Sequence, residues 1–212
     1  FLVTVETDSG TKDLRADLVV HGAGRVPAID RLDLAAANVE AGDKGVAVNA
    51  YLQSTSNPKI YAAGDAADTQ GAPLTPVAVF EGKVAASNML KGNRTKPDYS
   101  GVPSAVFTVP ELTRVGMLEQ DARETGHDIR VVENDTGDWY SNLRVGESCA
   151  ATKVIIDKDS DTILGAHLLG PEYGEIINFF GLAIRLGLTT SDLKKMVSVY
   201  PSVGSDLGSM LS

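Results

Sequence analysis

Two short segments hold residue types that could bind one ligand. In the first, Thr55 to Asp65, an apolar run from Ile60 to Ala63 leads directly into Gly64 and Asp65. In α/β folds, ligands bind at the carboxyl edge of the sheet, and a glycine there lets the backbone approach a ligand closely. The Asp65 carboxylate could therefore accept hydrogen bonds from sugar-like hydroxyls. A strand-end turn with a solvated aspartate is the simpler alternative.

The second segment reads Leu74-Thr75-Pro76-Val77-Ala78 and is typical of a helix start. Proline suits the first helical position because it has no N–H to leave unpaired. Apolar and small residues continue at helical spacing from Val77 to Leu90, and Gly92 marks the end. A helix start carries about half a positive charge on its unpaired N–H groups, so it favours negative charge nearby. An ordinary Thr-Pro helix start is again the simpler alternative.

The composition narrows the range of partners. The chain has 212 residues, a net charge of -9 and one cysteine. This length allows one or two domains with a real core. The acidic balance argues against a nucleic-acid partner, and one cysteine allows neither an internal disulfide nor a cysteine-based metal site. No apolar run is long enough for a membrane span. We therefore expect a cytoplasmic protein with no nucleic-acid, membrane or metal partner.

Hydrophobic patterns predict the elements that must position these segments. A hairpin-like pair of strands is expected at Phe1 to Glu6 and Ala16 to His21, and further strands at 46–52 and 60–63. The polar stretch 93–101 is interpreted as a linker. Beyond it we expect strands at 105–109, 129–134, 153–157 and 162–169, and helices at 118–124, 172–186 and 191–196. Strands with helices packed on one side predict an α+β domain.

Taken together, the segments resemble the pyridine nucleotide-disulfide oxidoreductases, a flavoprotein family that includes glutathione reductase, dihydrolipoamide dehydrogenase and mercuric reductase. Gly24 to Pro27 looks like the family's return from the nicotinamide domain to the FAD domain. Thr55 to Asp65 looks like its second FAD motif, and Leu74 to Ala78 like its flavin-facing helix start. Val102 to Glu111 looks like the opening of its dimerisation domain, and Ile163 to Glu172 is a further match. The resemblance covers almost the whole chain.

The resemblance implies a fold and a division into domains. Residues 1–27 would end the NAD(P)-binding domain, and 28–97 would form the second part of an α/β FAD-binding domain. Residues 98–212 would form an α+β dimerisation domain. The implied assembly is a homodimer in which each active site borrows residues from the partner's C-terminal segment.

The resemblance also implies cofactors and the residues that bind them. FAD would be the bound cofactor, NADH or NADPH the hydride donor, and a small molecule the electron acceptor. Asp65, following Gly64, would hold the ribityl or pyrophosphate part of FAD. Thr75 would lie against the isoalloxazine, with Leu74, Pro76 and Val77 close by. The start of this helix would then stabilise the anionic edge of the reduced flavin.

The chain departs from the family pattern near Tyr200. Thiol-active relatives have a histidine at this position, followed five residues later by a glutamate that makes the histidine a better acid/base. Here Tyr200 and Ser205 stand at those places, and Asp206 is one residue late. A tyrosine, with a reference pKa near ~10, donates a hydrogen bond at neutral pH but is a poor base. Tyr200 is therefore a candidate hydrogen-bond donor for catalysis or, alternatively, a packing residue at the interface, and a disulfide acceptor is in doubt. Mercuric reductases share the tyrosine but add a cysteine pair near the C-terminus that is not found here.

Several family motifs do not occur in these 212 residues: the two Gly-x-Gly-x-x-Gly turns and the Cys-x-x-x-x-Cys pair. We therefore expect the chain to be part of a longer oxidoreductase and to be inactive alone. The alternative is a non-catalytic dimerisation module that has lost its redox chemistry. Under either interpretation, the apolar excess of the helix predicted at 172–186 favours a dimer.

Overall fold

A computed structural model describes residues 1–212. The chain begins with an antiparallel hairpin of β1 (Leu2–Thr7) and β2 (Gly10–Arg15). The expected second strand, Ala16 to His21, is wrong. Gly10, at φ +113°, and the Thr7 hydroxyl, which donates to the Gly10 carbonyl at 2.7 Å, make a tight turn that sets the register. The polar segment directly after the turn therefore pairs with β1. Of the expected strand, only Ala16 takes part, through two backbone hydrogen bonds with Phe1, and 17–21 lies outside the ladder.

A small sheet of three short strands follows, in the order β3-β4-β5: β3 (Ala41–Gly42), β4 (Gly45–Ala47) and β5 (Ala67–Asp68). Strands β4 and β5 are parallel. The strand expected at 46–52 ends early because the chain turns at Asn49, whose side chain accepts a hydrogen bond from the Tyr51 N–H at 2.9 Å. The strand expected at 60–63 is reduced to one bridge between Gln53 and Tyr61.

Helix α1 (Thr75–Lys91) lies beside this sheet and has almost the predicted bounds. Its start carries Pro76, and its C-terminal cap is Gly92 at φ +78°. The buried face of the helix carries apolar and polar side chains together: Val77, Glu81, Val84, Ala85 and Asn88. Its apolar part meets Leu52 in a core cluster of only three buried residues.

The second half of the chain forms a five-stranded antiparallel sheet in the order β6-β7-β10-β9-β8, with helices between its strands. The elements are β6 (Ser104–Val106), β7 (Glu111–Gly116), α2 (Glu119–Glu124), β8 (Ile129–Asp135), α3 (Tyr140–Leu143), β9 (Ala151–Asp157), β10 (Ile163–Gly170), α4 (Tyr173–Leu186) and α5 (Thr190–Leu193). The α+β prediction is confirmed. Strand β7 and helix α3 were not predicted, and the strand expected at 105–109 ends at Val106.

Helix α4 covers one face of this sheet and divides its own side chains between two surfaces. Its inner face buries Tyr173, Ile176, Ile177, Phe180 and Ala183, which belong to a core cluster of 17 residues. Its outer face leaves Phe179, Leu182 and Leu186 exposed. No helix combines the length and the apolar character needed to cross a bilayer.

Candidate functional site

A cavity of about 430 Å³ opens between the turn that follows Ala63 and the first turns of α1. Three glycines line it, Gly24, Gly64 and Gly71, together with side chains that include Arg25, Asp65, Val77 and Glu81. Glycines in a cavity wall leave room for a ligand beside the backbone itself. Three of the residues singled out from the sequence, Gly64, Asp65 and Val77, therefore line a space that can hold a ligand.

Gly64 is required by the geometry of this wall. Its φ of +64° lies in the left-handed region, and a Cβ built on it would lie 2.7 Å from the Cβ of Ala78. The turn therefore packs directly against the first turns of α1, closer than any side chain allows. This contact brings the turn of residues 64 and 65 to the helix start, as the two sequence segments predicted.

Asp65 is partly exposed and forms an ion pair with Arg25. Arg25 comes from the segment Gly24 to Pro27, which also lines the cavity. The carboxylate thus lies at the rim of the cavity, with a guanidinium group beside it. A charge-assisted pair of this kind orients the carboxylate while leaving lone pairs free to accept further hydrogen bonds.

The start of α1 has no side-chain cap. Leu74 is extended and half-buried, Thr75 and Pro76 are exposed, and Val77 is buried. The first N–H groups of a helix have no intrahelical partner, so they remain free to bind a ligand or solvent. Of the predicted residues, Gly64, Asp65 and Val77 line the cavity, whereas Leu74, Thr75 and Pro76 lie next to it at the helix start.

Glu81 lines the same cavity and was not singled out from the sequence. Its side chain is fully buried on the face of α1 that carries Val77, one helical turn away. A charged residue among apolar ones on a predicted buried helix face is the signal that could have found it. A buried carboxyl group requires hydrogen-bond partners, and it has three of them in this structure.

Tyr200 belongs to a separate region. Its ring is largely exposed and stacks on Tyr140, with ring centroids 6.2 Å apart and an interplanar angle of 18°. Ser205, at the place of the family's glutamate, donates to the Ser202 carbonyl at 2.6 Å and so serves the local turn. Asp206 instead accepts a hydrogen bond from Ser141. Tyr200 is not among the residues that line the cavity.

Comparison with known families gives two matches that together span most of the chain. Residues 102–210 match the pyridine nucleotide-disulphide oxidoreductase dimerisation domain, and residues 2–82 match the pyridine nucleotide-disulphide oxidoreductase domain. The solved structure of the HOCl-induced flavoprotein disulfide reductase RclA from Escherichia coli superposes with a TM-score of 0.83 at 28% identity. It covers 99% of this chain, which spans 48% of that protein.

Curated relatives fall into two length classes. A 19.7 kDa protein of the mercuric resistance operon of Staphylococcus aureus is 51% identical over 180 residues, which are 85% of this chain and all of that protein. Mercuric reductase from the same organism is 34% identical over 97% of this chain, and dihydrolipoyl dehydrogenase of Bacillus subtilis is 33% identical over 95%. The chain spans only 37% and 42% of these two enzymes. The chain therefore belongs to the pyridine nucleotide-disulphide oxidoreductase family.

Proposed function

We propose that this chain is the C-terminal part of an FAD-dependent NAD(P)H oxidoreductase, in which it supplies half of the FAD site and the homodimer interface. The observation that carries the proposal is the cavity between the turn at Gly64 and Asp65 and the uncapped start of α1. A pure interaction module has no need of such a cavity. The cytoplasmic location expected from the sequence stays a prediction.

The residues around the cavity fit FAD. A Cβ on Gly64 or Gly71 would strike Ala78 or Glu81, at 2.7 and 2.6 Å, so only glycine lets these two wall segments pack this closely on α1. Asp65 offers a partly exposed carboxylate to the hydroxyls of a ribityl chain. The start of α1 offers unpaired N–H groups to the electron-rich edge of a flavin ring. Sugar-like hydroxyls and delocalised negative charge are both features of FAD.

Each residue then has a defined part in holding the cofactor. FAD, when bound, would supply the redox chemistry between NADH or NADPH and an electron acceptor. Asp65 accepts hydrogen bonds from the ribityl or pyrophosphate part, and Arg25 keeps its carboxylate oriented. Val77 packs against the ring, while Leu74, Thr75 and Pro76 bring the helix start to its edge. That positive helix end favours the anionic reduced form.

Tyr200 is assigned a separate part, as a hydrogen-bond donor to the acceptor bound on the partner subunit. The ring is exposed, so a second subunit can approach it. Ser205, at the place of the family's glutamate, is hydrogen-bonded to the Ser202 carbonyl and not to Tyr200. We therefore propose that electrons pass to a small-molecule acceptor without a His–Glu type of thiol exchange.

The dimer interface is assigned to the outer face of α4, where Phe179, Leu182 and Leu186 are exposed. Phe107 and Val109, which follow β6, are further exposed apolar side chains of the same half of the chain. Several large apolar side chains exposed to water are costly and are typical of an interface. Since the family match over 102–210 is to a dimerisation domain, the expected occupant is a second copy of this chain.

The FAD site is tested by Gly64→Ala in the complete oxidoreductase. The new Cβ meets Ala78 and also forces a left-handed φ on alanine, so the turn must shift and FAD binding should fall by about tenfold or more. Gly82→Ala is the matched control. Gly82 lies on α1, the helix that carries Ala78, and a Cβ at Gly82 would meet nothing within 4 Å. Equal FAD affinity in both variants, measured by flavin fluorescence, would count against the site.

Tyr200→Phe in the same enzyme tests the second assignment. Removing the phenolic hydroxyl should slow acceptor reduction and leave flavin reduction by NAD(P)H unchanged, as measured by stopped-flow absorbance. Equal acceptor turnover would remove Tyr200 from the mechanism.

The isolated 212-residue chain should form no stable yellow complex, because it holds only part of the FAD site. Its purification with stoichiometric FAD would show that expectation to be wrong.

A second candidate function is a dimerisation module without redox activity. Two observations favour it. The 180 residues matched in the 19.7 kDa Staphylococcus aureus relative are the whole of that protein. In this chain, Tyr200 and Ser205 replace the His–Glu pair. Such a module would dimerise but would leave the cavity without a ligand. If the complete protein that contains this chain dimerises but neither binds FAD nor oxidises NAD(P)H, the module is favoured over the enzyme.

A further inference from the structure

Glu81 stands out as a fully buried carboxyl group that accepts three hydrogen bonds. The backbone N–H of Gly64 donates to it at 2.6 Å, the Thr69 hydroxyl at 2.8 Å and the Tyr99 hydroxyl at 2.7 Å. Burial of such a group is costly without good partners. Because all three donors are in place, the Glu81 carboxyl group and its partners form a fully hydrogen-bonded cluster, which holds these groups in fixed positions.

Two of the donors belong to the cavity wall. Gly64 is the glycine of the turn that carries Asp65, and Thr69 follows β5, and both residues line the cavity. The Thr69 hydroxyl also accepts a hydrogen bond from the Gly71 N–H at 3.1 Å. Any side chain at Gly71 would meet the Glu81 carboxyl group at 2.6 Å. Glu81 thus fixes both segments of wall against α1.

The third donor connects the cavity to the dimerisation domain. Tyr99 lies in the segment that leads from α1 to β6. Next to it, the Asp98 carbonyl accepts a hydrogen bond from Arg185 of α4 at 3.1 Å. Gly101, two residues after Tyr99, packs closely on α4. A Cβ built on Gly181 of α4 would lie 2.8 Å from the Gly101 carbonyl oxygen. The hydroxyl held by Glu81 is therefore anchored to the helix that presents the dimer face.

We propose that Glu81 is a positioning residue for the cofactor: it holds the turn of Gly64 and Asp65 in its binding geometry and joins that turn, through Tyr99, to helix α4. The inference rests on the proposed FAD function. Glu81 contacts the wall, and its effect on the cofactor is exerted through the turn. Removing its carboxyl group leaves the Gly64 N–H buried without a partner, which the turn can relieve only by moving.

The ionisation of Tyr99 is consistent with this arrangement. Burial, together with the hydrogen bond to Glu81, raises the pKa of Tyr99 to about 12. The phenol therefore keeps its proton at neutral pH and serves as a constant donor. The link between cavity and dimerisation domain does not depend on pH in the ordinary range.

Asn88 offers a matched control on the same helix. It is buried on the same face as Glu81, two turns further along α1. Its amide donates to the Tyr51 and Thr95 carbonyls at 2.9 and 2.8 Å, and its oxygen accepts from the Arg94 and Thr95 N–H groups. It does not line the cavity. A loss of stability alone should therefore appear in both variants, and a loss of cofactor geometry only in the Glu81 variant.

The test compares Glu81→Met, Glu81→Gln and Asn88→Ala in the complete FAD-loaded oxidoreductase. The unmet Gly64 donor in Glu81→Met should raise the FAD Kd by about tenfold or more and shift the flavin absorbance bands. Glutamine can still accept from Gly64, and the Thr69 and Tyr99 hydroxyls can turn to accept from its amide. Glu81→Gln should therefore keep the Kd within about threefold of wild type. Asn88→Ala should lower Tm and leave both the Kd and the flavin bands unchanged.

Other outcomes are also decisive. A Glu81→Met enzyme with wild-type Kd and spectrum would overturn the inference, as would an Asn88→Ala enzyme with the same flavin changes. If Glu81→Met does not fold, Thr69→Val and Tyr99→Phe each remove one donor, and an unchanged Kd in both would overturn it. Failure of the wild-type enzyme to bind FAD would instead overturn the proposed function on which the inference rests.

Discussion

The two halves of the chain are stabilised in different ways. The five-stranded sheet and α4 share a core cluster of 17 buried residues, whereas the region around α1 has a cluster of only three. Helix α4 buries only apolar, aromatic and glycine residues. Helix α1 buries Glu81 and Asn88 beside three small apolar residues, and each of the two polar side chains is fully hydrogen-bonded to segments outside the helix.

This difference matches the two functions that we propose for the halves. A dimerisation domain must present a fixed surface, and a large apolar core provides the rigidity that such a surface needs. A cofactor cavity must instead hold backbone segments at set positions without filling the space between them. At the cavity the hydrogen bonds to Glu81 achieve that, because they are directional and need little volume. Because its apolar core cluster has only three buried residues, we expect the region around α1 to have less stability of its own than the other half.

The largest effect is expected from a deletion in the large core. Phe180→Ala removes a side chain with no exposed surface and should lower the free energy of unfolding by about 3–5 kcal/mol. Val84→Ala in the small core removes two buried methyl groups and should lower the free energy of unfolding by about 1.5 kcal/mol. Urea unfolding measures both, with Trp139, the single tryptophan, reporting on the large core. Equal losses at both sites would contradict the comparison.

The outer face of α4 gives the next largest effect. Leu182→Glu places a charge at the centre of the proposed interface and should weaken dimerisation by about tenfold to a hundredfold, since a desolvated charge without a partner is costly. The monomer should keep its stability because Leu182 is 52% exposed. Analytical ultracentrifugation measures the change, and Lys194→Glu, at the exposed end of α5 and outside α4, is the control for the added negative charge. An unchanged dimer would place the interface elsewhere.

The hydrogen-bonded half should respond to high pH through Tyr99. Its pKa in the folded chain is raised from 10.0 to about 12, by burial and by its hydrogen bond to Glu81. A raised pKa means that the protonated form is favoured by folding. The stabilisation is therefore complete below pH 10 and is lost as the pH rises towards 12. Tyr99→Phe should lower Tm at neutral pH and flatten this part of the Tm profile. A profile unchanged in shape would show that Tyr99 contributes no such link.

The sequence predicts best where structure is set by local signals. The bounds of α1 follow from Pro76 and Gly92, and those of α4 from its periodic apolar residues. The family resemblance adds the position of the turn at Gly64 and its closeness to the start of α1. These features depend on residues near one another in the chain, so pattern and spacing suffice to find them.

Features that depend on distant partners could not be predicted in this way. The role of Glu81 follows from Gly64, Thr69 and Tyr99, which lie 12 to 18 residues away along the chain. The partner of β1 depends on the register of one turn and not on hydrophobicity. Strand β7 contains Thr113 and Arg114 and ends in a glycine, so it lacks an apolar run, and only pairing with β6 and β10 makes it a strand.

The smallest effect is expected at the pair of Arg25 and Asp65. Both side chains are partly exposed, so water screens their attraction, and Arg25→Ala should change the free energy of unfolding by less than about 1 kcal/mol. FAD binding by Arg25→Ala should nevertheless weaken, because Asp65 loses the group that orients it. Arg25→Lys should restore only part of the FAD affinity. Chemical denaturation and FAD titration separate the two effects. A stability loss above about 2 kcal/mol would mean that ion pairs, and not only the buried hydrogen bonds of α1, hold this half together.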